Sequence, residues 1–93
     1  IELGSGYLQI LNTKYLTGIH NEISKEYCVI SAYNTGSGNV LKTFNSNRTK
    51  ARAIINKKSP SEVYSTLVNK LPYKETRRYL QKVVNYKKDF INL

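Results

Sequence analysis

Methionine and tryptophan are absent from the 93 residues, which hold one cysteine, one histidine and two prolines. Each scarcity excludes something. Cys28 alone closes no disulfide within the chain, so packing has to hold the fold. His20, with no Cys or carboxylate cluster at ligand spacing, supplies no metal set, and no cofactor is expected. No apolar run approaches the roughly 20 residues of a membrane-spanning helix, and no signal-peptide core is present. A chain without methionine does not read as an intact translation product, so the expectation is that polypeptide precedes Ile1. Acids are scarce too, limited to Glu2, Glu22, Glu26, Glu62, Glu75 and Asp89.

Basic and tyrosyl side chains are plentiful. Fifteen Lys and Arg against six acids leave a net charge of +9. The charges balance over residues 1–46, so the whole excess falls in residues 47–93. Such asymmetry suggests a basic face turned toward an anionic partner, either nucleic acid, an acidic protein or an anionic membrane surface. A solubilising surface accounts for it equally well. Eight Tyr and two Phe in a chain that is 40% apolar indicate a globular chain. Tyrosine suits half-buried walls, because an apolar ring carries a polar tip.

The hydrophobic spacing is helical throughout, with no useful strand alternation and no repeat. Leu3, Tyr7, Leu8, Leu11 and Tyr15 share one face, and Gly18 closes that segment. A second helix starts between Asn21 and Ser24 and ends at Asn34. Its residues Ile23, Tyr27, Cys28, Val29, Ile30 and Ala32 are apolar nearly all the way round, the pattern of a segment enclosed by others. It stops at Tyr33-Asn34, whose polar groups then need partners, and Gly36-Ser37-Gly38 provides a turn. Asn39 can cap a short helix through Val40, Leu41 and Phe44, and Asn45-Ser46-Asn47 reads as a turn. Ala51, Ile54 and Ile55 mark the next helix. Ser59-Pro60 with Glu62 is a capping box opening another, whose stripe is Val63, Tyr64, Leu67, Val68 and Leu71. The last helix runs from about Tyr73 to Phe90, with Tyr79, Val83, Tyr86 and Phe90 aligned. Short loops and no linker make residues 1–93 one all-α domain. Neither Gly4-Ser5-Gly6 nor Gly36-Ser37-Gly38 follows a strand, and no Gly-Lys-[Ser/Thr] occurs, so neither reads as a phosphate loop.

Three segments together carry a family signature. Ser31-Ala32-Tyr33-Asn34-Thr35-Gly36 resembles the Ala-Tyr-Asn-x-Gly motif of the lytic transglycosylases, lysozyme-like enzymes that cut bacterial peptidoglycan. Leu3-Gly4-Ser5-Gly6-Tyr7-Leu8 is similar to their Leu-Gly-x-x-Tyr-Leu segment. Pro72-Tyr73-Lys74-Glu75-Thr76-Arg77-Arg78-Tyr79, followed by Val83 and Tyr86, is similar to their Pro-x-x-Glu-[Thr/Ser]-Arg-x-Tyr segment. Ile55-Asn56 to Val63-Tyr64, with Ser59-Pro60 between, looks most like the membrane-bound murein transglycosylase C branch.

The resemblance implies a lysozyme-like helical bundle, represented here by its C-terminal part. It implies cleavage of the MurNAc-GlcNAc β-1,4 bond to a 1,6-anhydromuramoyl product, in the periplasm or at the outer membrane. The partner is then the peptidoglycan glycan strand, met by a monomer; an anionic membrane surface is a further candidate, and nucleic acid ranks below both. In the family the catalytic Glu precedes the first motif seen here, so the chain would lack its acid and be inactive alone. By the same resemblance Tyr33 would assist the chemistry, Asn34, Gly36, Glu75 and Tyr79 would contact substrate, and Arg77 would pair with Glu75. The competing reading, from charge alone, is a basic helical binding module for nucleic acid or an acidic protein.

The carboxylates support an acid lying elsewhere. A general acid needs apolar surroundings to raise its pKa. Glu22 and Glu26 sit near a helix start, Glu62 belongs to a cap, and Asp89 follows two lysines near the end. Glu75 alone matches a cleft position of the family, where it assists.

Overall fold

A computed structural model describes residues 16–91, with side-chain surroundings through Tyr86. The helix expected over Leu3–Tyr15 lies outside the described residues. Five helices follow: α1 (Glu22–Thr35), α2 (Ser37–Phe44), α3 (Arg48–Lys57), α4 (Pro60–Lys70) and α5 (Lys74–Ile91). No strand occurs among the described residues, in keeping with the all-α expectation.

Helix α1 is the hub, packing against α2, α4 and α5, while α2 also meets α3 and α4 and α4 meets α5. Asn21 starts it, its Oδ1 accepting from the N–H groups of Ile23 and Ser24. The whole run from Cys28 to Ala32 is buried, so no face of the helix is left to solvent there. The Ser31 hydroxyl is satisfied within the helix by donating to the Tyr27 carbonyl at 3.0 Å. Burial pushes the Cys28 thiol up to about 12, so it stays protonated and inert. Ile23 departs from the expected enclosed set: it is 52% exposed. It sits in the first turn, next to Ser24, which is fully buried.

The α1–α2 junction is tighter than the expected Gly-Ser-Gly turn. Only Gly36 lies outside helix, at φ 93° and ψ 149°. Its N–H donates to the Ala32 carbonyl at 2.7 Å, and α2 begins at the next residue. Asn39, expected as the cap of α2, lies inside that helix. Its Nδ2 instead donates to the Thr35 carbonyl at 3.0 Å and to the Thr35 hydroxyl at 3.1 Å, so it closes the end of α1.

The remaining elements follow their local signals. Asn47 caps α3 by accepting from the Lys50 N–H, and Ala51 and Ile55 face the core. The Asn56 amide clips α3 to the loop before α1, donating to the Gly18 carbonyl at 2.8 Å and accepting from the His20 N–H at 2.9 Å. The capping box of α4 is complete: Ser59 Oγ accepts from the Glu62 N–H, and Glu62 Oε1 accepts from the Ser59 N–H. Val63, Leu67 and Leu71 are buried, and the Tyr27 and Tyr64 rings meet at 5.1 Å and 56°. On α5, Thr76, Leu80 and Val83 are buried. Tyr86, expected on that stripe, is 53% exposed, because it continues an edge on which Tyr79 is already only half-buried.

Two expectations follow. A Cβ on Gly36 would meet nothing within 4 Å, so Gly36→Ala is strained by backbone alone. That conformation is essentially restricted to glycine, and the substitution should cost about 1–3 kcal/mol in urea unfolding. The Glu62 carboxyl is held below its ordinary 4.5, first by the Ser59 N–H. A carboxyl lowered by folding stabilises the fold above the ordinary value, and that contribution is lost as pH falls through 4.5 and below. Comparing unfolding midpoints at pH 6 and pH 3, Glu62→Gln should show a smaller acid loss than the unsubstituted chain.

Candidate functional site

Two helix ends converge where the Ala-Tyr-Asn segment stops. The last turn of α1 presents Tyr33, half-buried against the core, and Asn34, exposed. The first turns of α5 present Glu75 and Arg78, exposed, with Thr76 buried and Tyr79 half-buried. One hydrogen bond joins the two helices across 42 residues of sequence: Thr76 Oγ1 donates to Asn34 Oδ1 at 2.8 Å. With Oδ1 engaged, the amide nitrogen of Asn34 remains as a donor at the surface.

That surface is an open groove of about 490 Å³, walled by Asn34 from α1 and by Glu75, Arg78, Tyr79, Gln81, Lys82 and Asn85 from α5. It offers a carboxylate, amides, a phenol and two cations, a set suited to a polyhydroxylated ligand. The Tyr79 hydroxyl is raised above the ordinary tyrosine value, first by burial and then by the neighbouring Tyr33 phenol. Tyr79 therefore stays protonated and can donate a hydrogen bond. Tyr33 stands behind the wall, next to Tyr79, and is not among the groove-lining residues. Gly36 serves the turn that ends α1 and is likewise not among them.

Arg77 does not take the place expected of it. No ion pair joins it to Glu75 among the described residues, because positions two apart on a helix face different ways. Its Nε is buried with no hydrogen-bond partner among the described residues, while Glu75 is exposed at the groove. The acid question sharpens as well. Glu22, Glu26, Glu62 and Glu75, the glutamates among the described residues, are all exposed. None has the apolar enclosure that raises a carboxyl into a proton donor. No group of three potential metal ligands exists among the described residues.

Sequence reasoning overlooked Thr76, whose signal was the Thr/Ser position between Glu75 and Arg77. It also overlooked Asn56, which no local pattern marks because its partners are loop backbone groups.

Comparison with known proteins bears on what this groove belongs to. The model of the transglycosylase SLT domain matches residues 1–56, which include Tyr33, Asn34 and Gly36. The chain belongs to the SLT transglycosylase family. It is 51% identical over 90 residues to a membrane-bound lytic murein transglycosylase C of Pectobacterium atrosepticum, covering 97% of this chain and 25% of the relative. Proteins of the same name from Serratia proteamaculans and Photorhabdus laumondii are 50% and 49% identical over 90 residues, with the same coverage. The chain thus spans about a quarter of the length of these relatives. The α5 wall lies beyond the SLT match but inside the 90-residue similarity to these proteins.

The helix-to-helix bond can be isolated. A double-mutant cycle of Asn34→Ala with Thr76→Val should give a coupling of about 1 kcal/mol in urea unfolding, the net worth of one neutral hydrogen bond. Additive costs would show that the bond contributes nothing.

Proposed function

We propose that residues 1–93 form one helical unit that holds the glycan strand in a peptidoglycan lytic transglycosylase of the bacterial envelope. The observation that carries this reading is the Thr76–Asn34 bond, which sets an SLT-family motif against the α5 wall of an open polar groove. Asn34 donates through its free amide hydrogens, Glu75 and Tyr79 take sugar hydroxyls, and Gly36 keeps the end of α1 at the right angle. Tyr33 assists from behind the wall by positioning Tyr79. No helix among the described residues is long and apolar enough to cross a membrane.

The proton donor is supplied by polypeptide outside these residues. The donor protonates the glycosidic oxygen between MurNAc and GlcNAc and then accepts the proton of the muramoyl 6-hydroxyl. That hydroxyl closes the 1,6-anhydro ring within the same sugar, so no water is consumed. Attack from within a held sugar replaces a bimolecular step, a large entropic advantage. The part of the work assigned to the groove is that holding. The 93-residue chain by itself binds glycan and cleaves nothing.

Sedimentation with purified peptidoglycan tests both halves. The chain should co-sediment with the sacculi and release no anhydromuropeptides on chromatography of the supernatant. Asn34→Ala and Tyr79→Ala should each weaken binding about fivefold, as expected for one lost hydrogen bond. Failure to co-sediment would overturn the binding claim, and release of anhydro products the claim of inactivity. The concentration of positive charge in residues 47–93 favours nucleic acid as the second reading. Tight duplex DNA binding with a steep salt dependence would support that reading instead.

A further inference from the structure

A second cleft opens beside the α1 terminus. It holds about 290 Å³ and is lined by Thr35, Asn39, Lys42, Asn45 and Arg48, among others. Thr35 is the residue after Asn34, so the last turn of α1 contributes to both openings. Its chemistry is different. Two cations line it and no carboxylate does, whereas the groove carries Glu75.

The polar groups around it are arranged as donors. Both cations are exposed, and neither forms an ion pair among the described residues. Arg48 reaches back over the first turn of α2, its Nη2 lying 3.8 Å from where a Cβ on Gly38 would stand. Asn45 Oδ1 is taken by the Asn47 N–H at 2.8 Å, so the Nδ2 hydrogens are what its amide has left to offer. The Asn39 amide is committed to Thr35 and stiffens that wall. Lys42 and Arg48, from different helices, thus flank one cavity alongside a free amide donor. The cleft is open and large enough to admit a carboxylate on a short peptide.

We propose that the Lys42–Arg48 cleft binds a peptide carboxylate, specifically that of the stem carried by a glycan strand lying in the Asn34 groove. This deepens the function proposed above and rests on it for the identity of the ligand. Neutral sugar hydroxyls are served by the groove, while stem carboxylates, which occur only on substituted muramoyl residues, are served by the cleft. The cleft therefore favours strands whose stems carry free carboxylates over strands whose stem carboxyls are amidated.

The test uses three probes with the 93-residue chain. They are chitotetraose, GlcNAc-MurNAc bearing L-Ala-γ-D-Glu, and the same muropeptide with its carboxyl groups amidated. Affinity should be highest for the acidic muropeptide and should fall with added salt. Lys42→Gln and Arg48→Gln should each weaken that probe about fivefold, the effect of one exposed ion pair. Chitotetraose affinity should be unchanged in both variants, as should Lys57→Gln, a control outside the cleft, for every probe. Equal binding of the acidic and amidated muropeptides, or equal losses for chitotetraose, would overturn the proposal. Backbone amide NMR with the free L-Ala-γ-D-Glu dipeptide separates this site from the glycan reading. Shifts confined to residues 37–48 support the cleft even if chitotetraose does not bind. Their absence at millimolar dipeptide rejects the cleft even if chitotetraose does bind.

Discussion

From Cys28 to Ala32, helix α1 has no side turned to water, and α2, α4 and α5 pack around it. An enclosed helix has to end somewhere, and its end is the place where buried backbone meets solvent. Here three devices manage that exit. Gly36 reverses the chain in one residue, the Asn39 amide covers the Thr35 carbonyl, and Thr76 takes the side chain of Asn34. The first two close the helix, and the third commits its last exposed amide to a fixed orientation. Structure and candidate chemistry therefore meet at one point for a physical reason: polar groups at the end of a buried helix need partners.

The two openings beside that point divide the polar work. The groove along α5 mixes a carboxylate, amides, a phenol and cations, whereas the cleft between α2 and α3 has cations without an acid. Neither contains an enclosed carboxyl. The glutamates of the described part of this SLT-family chain are all exposed, so the polar groups beside the α1 terminus lack the apolar enclosure of a proton donor. The Tyr79 hydroxyl is raised above the ordinary tyrosine value by burial and then by Tyr33, which leaves it protonated at the groove wall.

Much of the fold was legible locally. The capping box at Ser59, the all-round apolarity of Cys28 to Ala32 and the stripe of Val63 and Leu67 each encode their surroundings within a few residues. The misreadings share one cause. Asn39 reads as a cap because asparagine caps helices, yet a helix begins two residues earlier once Gly36 alone makes the turn. Ile23 and Tyr86 match the apolar period of their helices, and period says nothing of where a neighbouring helix stops. Arg77 follows Glu75 closely in sequence, but helical rotation parts them.

The sequence by itself determined that the chain is helical, that Ser59 caps a helix, which helix is enclosed and, through three ordered motifs, its family. Short-range physics suffices for these, since a cap or an apolar period involves neighbours along the chain. Only the tertiary structure decided that Thr76 meets Asn34 across 42 residues, that Asn56 ties α3 to Gly18, and that Lys42 and Arg48 flank one cavity. Those pairings depend on how helices pack, and no local periodicity carries the angle between two helices.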